Sequence, residues 1–407
     1  MKTTQLNRLQ SLKAWRKNQI AVTVSGSFVF FGFTLVMPFL PLYVRQLGVE
    51  GTGQIALWTG LILGISPAMA ALTGPIWGRI GDRVGLKPMA GRATGVNCLC
   101  WLLMAFAGNV WQLFLLRAIL GLFGGFNSVS LAAATQLSPK DQIGNVIGTL
   151  QSSQIIAAAI GPLVGGVLAQ SIGITNTFFA TAILMFGSFL SITLFYQDAE
   201  RRQERVDEPE QRVDRSFLKQ PEYILPLILL FFIHMSVRTF NPIVPLFLEE
   251  LGTAATRLAA ISGLLISMAA FGEAFSAWLS GKLSNRVEFR KLIAIRLALG
   301  LLVLVPMVGV QSSGGFFVLR VVLALLSGGA MTLAFGAAGR VIPVEQRGTG
   351  FSILSSISLF GGAMGPIIAG ALASVSIRTV FVFNIVIYAT LIMIVTSIVR
   401  KPDIAQT

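Results

Sequence analysis

The sequence predicts an all-α integral membrane protein with twelve transmembrane helices in two pseudo-symmetric six-helix halves. Three observations predict this: a shortage of charge, twelve apolar stretches of spanning length, and a repeat relating the first half to the second. Only 12% of the 407 residues are charged and 54% are hydrophobic, with a mean hydropathy of +0.76. A soluble domain carries about 25% charged residues, so much of the usual water-facing charge is missing.

The apolar stretches come first. A helix needs ~20 mostly apolar residues to cross the hydrocarbon core, and hydropathy places such runs at 19–41, 55–78, 89–108, 111–137, 142–171 and 174–196. Six more follow at 223–248, 257–281, 289–311, 314–339, 346–373 and 376–399. Residues 1–18 are polar and basic, and no small-residue cleavage site follows the first run. That run exceeds the ~7–15-residue core of a secretion signal, so it is expected to be a permanent span. Cys98 and Cys100 stand two apart in the third span and point to different sides of a helix, which favours apolar packing over a disulfide or metal site.

Charge sets the orientation. The formal net charge is +14, a value that in a soluble chain would raise the question of nucleic acid. With both ends on one side, however, 25 of the 31 basic residues fall on that side, Arg92 and Arg296 included. Only Arg45, Arg257 and Arg378 fall on the other, and Arg117, Arg238 and Arg320 lie within spans. This is the positive-inside asymmetry. It predicts a multi-pass protein of the cell (inner) membrane with both termini cytoplasmic, and it accounts for the basic excess without nucleic acid.

The repeat has an offset of 203–204 residues, as a search for long-period self-similarity reveals. MPFLPLYVRQLG (37–48) matches NPIVPLFLEELG (241–252), and GRIGDRVGLK (78–87) matches GKLSNRVEFR (281–290). FLLRAILGLFGGF (114–126) matches FVLRVVLALLSGGA (317–330), which sets Arg117 opposite Arg320. SPKDQIG (138–144) matches IPVEQRG (342–348), and IGPLVGG (160–166) matches MGPIIAG (364–370). The expected organisation is therefore an N-terminal half at 1–196, a cytoplasmic linker at 197–222 rich in both signs of charge, and a C-terminal half at 223–407.

Parallel six-span halves related by an axis along the membrane normal are the architecture of the major facilitator superfamily, and the motifs resemble that superfamily's. GRIGDRVGLK resembles its loop signature between spans two and three, departing at Leu86, where a basic residue is usual. LFLLRAILGLFGG (113–125) resembles the fourth-span arginine motif, with Leu120 in place of the usual glutamine. AAAIGPLVGG (157–166) resembles the fifth-span motif of the antiporter branch, with Ala157 in place of its first glycine. The likeness covers nearly the whole chain and is closest to the twelve-span drug:proton antiporters, particularly bacterial multidrug efflux transporters.

What the resemblance implies can be put residue by residue. Gly78, Asp82, Arg83, Gly85 and Lys87 would form the cytoplasmic gate, with Asp82 accepting hydrogen bonds from a helix N-terminus or pairing with an arginine across the halves. A tight solvated turn is the other reading of that loop. Gly161, Pro162, Gly165 and Gly166 give the fifth span a kink and a side-chain-free strip, which either seals a leak path or simply packs helices. Arg117 and Arg320, with Asn127 and Asn241, are candidates for the substrate cavity. A charge at depth costs ~2.5–3.5 kcal/mol on insertion scales, so both arginines are expected to face the interior rather than lipid, unless they snorkel outward.

Features absent from the repeat carry a different message. Shifting by 203–204 maps His234 to Phe30, Arg238 to Thr34 and Glu273 to Ala70. His234 is the one histidine of the chain and Glu273 the one carboxylate inside a span. At 1.5 Å per residue His234 lies roughly 17 Å and Glu273 roughly 12 Å from the cytoplasmic boundary, on adjacent antiparallel spans. Burial and a nearby cation pull a carboxyl group in opposite directions, so Glu273 is expected to titrate in the working range, with His234 and Arg238 as its partner charges. A static buried ion pair is the alternative.

Taken with the resemblance, these residues imply a proton-coupled antiporter that exports small amphiphilic compounds by alternating access. A proton symporter or uniporter for a small metabolite is the alternative on the same fold. The presumed cavity has two arginines and one acid, and the first span, VSGSFVFFGFTLVMP (24–38), has no acid. Both facts lean towards neutral, zwitterionic or anionic substrates. An intramembrane enzyme would need a convergent catalytic group, and one histidine with no acid pair or metal-ligand cluster does not supply it. GLFGGF lacks the lysine of a nucleotide-binding loop, so no ATP and no cofactor is expected. The proton gradient would drive a chain working as a monomer in the lipid bilayer.

Overall fold

A computed structural model describes residues 2–136, 138, 142–197, 218, 220–284, 286–343 and 346–397, with backbone alone at 2–14, 75, 82, 127–128, 135–136 and 347–349. It contains helices and no strand among the described residues. The linker expected at 197–222 lies largely outside them.

The first span is α1 (Lys2–Leu35), a 3-10 turn at Met37–Phe39 and α2 (Leu40–Gln46). Pro38 and Pro41 remove backbone donors and break it there. Spans two and three are α3 (Thr52–Val84) and α4 (Leu86–Met104), and the fourth is split into α5 (Val110–Phe123) and α6 (Phe126–Gln136). The fifth is α7 (Ile143–Ile172), and the sixth is α8 (Ile174–Leu190) with a π turn at Ser191–Phe195. In the second half α9 (Pro221–Glu250) stays continuous although it carries Pro242 and Pro245, the repeat mates of the first span's prolines. Then come α10 (Ala255–Leu283), α11 (Phe289–Gly309), a second split span of α12 (Ser313–Ser327) and α13 (Ala330–Val341), α14 (Arg347–Ala373) and α15 (Ile377–Ser397). Twelve crossings result among the described residues, and ten of them are long and apolar enough by themselves to span a membrane.

The repeat reproduces its local chemistry. Asn109 and Ser312 cap α5 and α12 by accepting from the N–H of Gln112 and Gly315, at 2.9 and 3.1 Å. The Leu-Gly pairs at 47–48 and 251–252 end α2 and α9, with Gly48 and Gly252 at φ 89° and 86°. Glycine reaches that left-handed region without a side-chain clash.

Both split spans are held open by an arginine from the preceding span. Arg92 on α4 donates to the Gly124 carbonyl at 3.1 Å and lies 3.4 Å over the Trp77 ring. The Trp77 indole donates to Leu122 at 2.7 Å. Arg296 on α11, the repeat mate of Arg92, donates to Leu325 and Leu326 at 3.4 and 3.2 Å. A helix end inside a bilayer leaves carbonyls that nothing else would satisfy, and a cation there also complements the helix dipole. The expectation that Arg92 and Arg296 sit on the cytoplasmic surface is therefore corrected: Arg92 is half-buried and Arg296 is 6% exposed. α4 and α11 begin far enough before these residues to carry them inward.

The halves meet along two seams that are the same contact made twice. On one, Ala56 and Gly60 of α3 lie against Pro366 and Gly370 of α14; on the other, Ala259 and Gly263 of α10 lie against Pro162 and Gly166 of α7. A side chain on any of these four glycines would strike a backbone carbonyl of the partner helix. The Leu163 N–H also donates to Ser267 across the second seam at 2.9 Å. Both seams lie on the far side, away from the start of α1 and the end of α15. On the near side, space around Gly74 and Gly78 of α3, Gly148 of α7 and Gly281 of α10 is open. The seams close the bundle at the far side, and no such glycine contact joins these four positions to another helix at the near side.

Two substitutions test this packing through the thermal midpoint of the purified protein in detergent. Gly165→Ala forces a methyl group into the Leu35 backbone of α1 and is expected to destabilise by about 1–3 kcal/mol. Arg296→Met leaves the α12 carbonyls without donors and is expected to lose about 1–3 kcal/mol, while Arg296→Lys retains most of the stability.

Candidate functional site

The unmatched polar residues of the second half gather where α9, α10, α12, α14 and α15 converge. α9 has one face on α14, where Gly361, Gly362 and Gly365 leave room for Phe231, His234 and the Cβ of Arg238. There the Arg238 Nε donates to His234 Nε2 at 3.1 Å. A guanidinium only donates, so His234 Nε2 is an acceptor and its proton resides on Nδ1, which donates to Ser358 Oγ at 2.9 Å. In this arrangement the imidazole is neutral and its orientation is fixed from both sides.

Glu273 does not join that pair. Its carboxylate accepts from Arg320 Nη2 of α12 at 3.3 Å, with side-chain exposures of 32% for Glu273 and 9% for Arg320. The expected direct partnership with His234 and Arg238 is corrected, because among the described residues no hydrogen bond or ion pair joins either to Glu273. The cause is helix packing. Gly272 of α10 sits against Ala324 and Leu325 of α12, which turns the neighbouring carboxylate towards α12. Arg238 remains within electrostatic reach of Glu273.

Arg320 also lies 4.5 Å over the Phe240 ring of α9. A buried network adjoins it: Ser236 donates to Asn384 of α15, which donates to Thr239 at 2.9 Å, and Tyr388 donates to Ser327 at 3.4 Å. Sequence reading missed Ser358, Asn384 and Tyr388. A polar residue in the middle of an otherwise apolar span was the available signal, but it does not say which helix lies opposite.

The first half answers differently. Arg117 is 3% exposed, so it faces the interior as Arg320 does, yet its guanidinium lies 4.7 Å over the Trp101 ring with Nε buried and unpartnered. The site therefore holds one carboxylate, Glu273, and two nearby cations, Arg238 and Arg320, with Arg117 as a further buried positive charge. Asn241 is half-buried one turn beyond Arg238 on α9. The side chain of Asn127 lies outside the described residues.

The remaining motif residues are placed as follows. GRIGDRVGLK forms the last turns of α3 and a one-residue junction at Gly85, whose φ of 103° requires glycine. Arg83 and Lys87 flank it, and the side chain of Asp82 lies outside the described residues. A side chain on Gly78 would meet open space. In the fifth span Gly161 and Gly165 pack on Thr34 and Leu35 of α1 in their own half, whereas Pro162 and Gly166 form the seam with α10.

Twelve helical spans in two equivalent halves, enclosing a site of buried charge, define a polytopic membrane transporter fold. The profile of the Major Facilitator Superfamily matches residues 22–312 and 226–406, and the chain belongs to that superfamily. It is 34% identical over 375 residues to the Multidrug resistance protein MdtG of Rahnella sp., covering 90% of each chain. With the protein of the same name from Citrobacter koseri it shares 35% over 378 residues, covering 90% of this chain and 91% of that one. Among solved structures, a bacterial homolog of the human lysosomal transporter Spinster, inward-facing and occupied, superposes with a TM-score of 0.78 at 17% identity, covering 93% of this chain and 96% of that one. The nucleoside transporter NupG superposes at 0.75 with 12% identity, covering 95% and 100%. At those identities the likeness is one of fold.

Ser358→Ala removes the Oγ that accepts from His234 Nδ1–H. The expected loss is about 1–3 kcal/mol, read as a lowered thermal midpoint, and Ser358→Thr restores it.

Proposed function

We propose that the chain is a multidrug efflux transporter that exports small amphiphilic molecules from the cytoplasm in exchange for inward protons, by alternating access. The relatives named above support the substrate class. The positive-inside count supports placing both termini in the cytoplasm of a cell with this chain in its inner membrane, with halves 1–196 and 223–407 joined by the linker 197–222. In that orientation the near side is cytoplasmic and the conformation is inward-facing.

One observation carries the coupling: Glu273, the single carboxylate inside a span, is partly open and bound to a buried arginine. Ionised, it holds Arg320. A proton arriving at Glu273 cancels that charge and releases the guanidinium, so the pair has two states that a proton selects. Arg238, whose histidine partner keeps it in place, contributes a second cation within electrostatic reach of the carboxylate. Gly78, Asp82, Arg83, Gly85 and Lys87 would close the cytoplasmic side in the opposite state, and the gradient rather than a bound nucleotide or cofactor drives the cycle of a single chain.

Exchange requires substrate and proton to exclude each other. A neutral or zwitterionic amphiphile that donates a hydrogen bond to ionised Glu273 does this, while its acceptor group faces Arg238. A strictly anionic substrate behaves otherwise. It binds best to two cations freed by protonation of Glu273, and then travels with the proton. The net positive site thus favours symport of a small anionic metabolite as the second reading.

The chain is first screened for the amphiphiles to which it gives resistance in a bacterium lacking its main pumps, and one of these is then followed in proteoliposomes. Glu273→Gln is expected to abolish transport driven by a pH gradient while leaving substrate counterflow within about twofold. Unchanged proton-driven efflux removes Glu273 from the mechanism, and uptake driven by outside acid in the parent chain selects the symport reading.

A further inference from the structure

Arg45 in the last turn of α2 and Glu249 in the last turn of α9 form a two-pronged ion pair: Nη1 to Oε1 at 2.8 Å and Nη2 to Oε2 at 2.6 Å. They are 204 residues apart, which is the repeat offset itself. Repeat mates that touch each other must flank the pseudo-two-fold axis, and here the same position carries opposite charges in the two halves. Each stands three residues before a glycine that ends its helix, so both are mounted on fixed supports. The pair borders a cavity of about 500 Å³ on the far side, also lined by Thr52, Gly53, Ser374 and Ser376. Both seams lie beneath it. Arg378 approaches Glu250 at 3.7 Å beside it, within the second half.

We propose that Arg45 and Glu249 form an ionic latch on the pseudo-two-fold axis, which holds the far side shut and breaks whenever the transporter opens outward. The proposal rests on the alternating-access part of the functional reading and is independent of Glu273 as the proton carrier. Its magnitude is bounded by exposure: the two side chains are 41% and 31% exposed. Such pairs are weak and are screened by salt, though two parallel charge-assisted bonds place this one at the stronger end. A latch of this strength tunes the closed population rather than locking it. The axis supplies a sharper consequence. Because the two positions are equivalent, exchanging their charges rebuilds the same contact.

The first measurement needs no substrate. In a chain with Cys98→Ala and Cys100→Ala, Ala259→Cys places a thiol in the α7–α10 seam, at a position 7% exposed. Its rate of labelling by a membrane-impermeant maleimide added outside whole cells reports outward opening. Arg45→Glu and Glu249→Gln are each expected to raise the rate about two- to fivefold, and the exchange Arg45→Glu with Glu249→Arg to return it to the parent value. Added external salt should speed labelling of the parent but not of Glu249→Gln. Unchanged single variants, or an exchange as fast as its singles, overturn the proposal. Should the reporter cysteine disturb the seam, Arg45→Cys with Glu249→Cys joined by a short bifunctional thiol reagent gives a second measurement. Export by the joined chain should stop and return in a cleavable version, and undiminished export after complete joining overturns the latch. In a Glu273→Gln background the single variants and the exchange are compared with that background's own labelling rate, so the two readings fail separately.

Discussion

Everything in the molecule depends on backbone lying directly against backbone where its halves join. Lipid offers helices no hydrophobic incentive to associate, so contact must come from close packing and hydrogen bonds. The chain meets this with Ala-x-x-x-Gly on α3 and α10 set against Pro-x-x-x-Gly on α14 and α7. Side chains at these glycines would push the halves apart by more than packing tolerates. Because the two seams are copies of one contact, they lie symmetrically about a single axis, and the halves can pivot on them without either being remodelled. The fifth-span motif is thereby explained in two parts: Gly161 and Gly165 build a half, and Pro162 and Gly166 join the halves.

Upon that symmetric frame the charged site is deliberately unequal. Arg117 and Arg320 are equivalent in sequence, both are buried and both lie over an aromatic face, but only Arg320 also has a carboxylate. A buried cation without a counter-charge is expensive, and a ring partly compensates it without responding to pH. Among the described residues around these two arginines, only the second half offers a carboxylate. Its neighbours also differ in kind: His234 is committed to Ser358 and Arg238, which makes it a brace, whereas Glu273 has one bond and an open side.

Much of this was legible in the chain. The charge deficit and the spacing of apolar runs predict the twelve-span architecture, and the offset of 203–204 sets the twin Leu-Gly endings opposite each other, whereas the paired caps at Asn109 and Ser312 appear only in the structure. The site was legible in membership more than in wiring. Glu273, His234, Arg238 and Arg320 stand out because charge in lipid demands a reason, but which of two adjacent helices Glu273 faces depends on how Gly272 seats α10 on α12. Arg92 and Arg296 were misplaced for a related reason. A hydropathy window reads an arginine near a span's end as a surface residue, and the carbonyls of a broken neighbouring helix are invisible to it. Ser358 and Asn384 look like any other small polar residue until a partner lies opposite.

Those two arginines have a consequence for how the protein is made. Arg92 and Arg296 find their acceptors only on the next span of the chain. Until that span arrives, Arg296 has no acceptor among the described residues and Arg92 has the Trp77 ring alone, at ~2.5–3.5 kcal/mol for a charge at depth on insertion scales, and the split helix that follows has bare carbonyls of its own. Neither member of the couple is at ease alone in the bilayer. Biogenesis is therefore constrained to release the third span with the fourth, and the ninth with the tenth, as hairpins from the translocon.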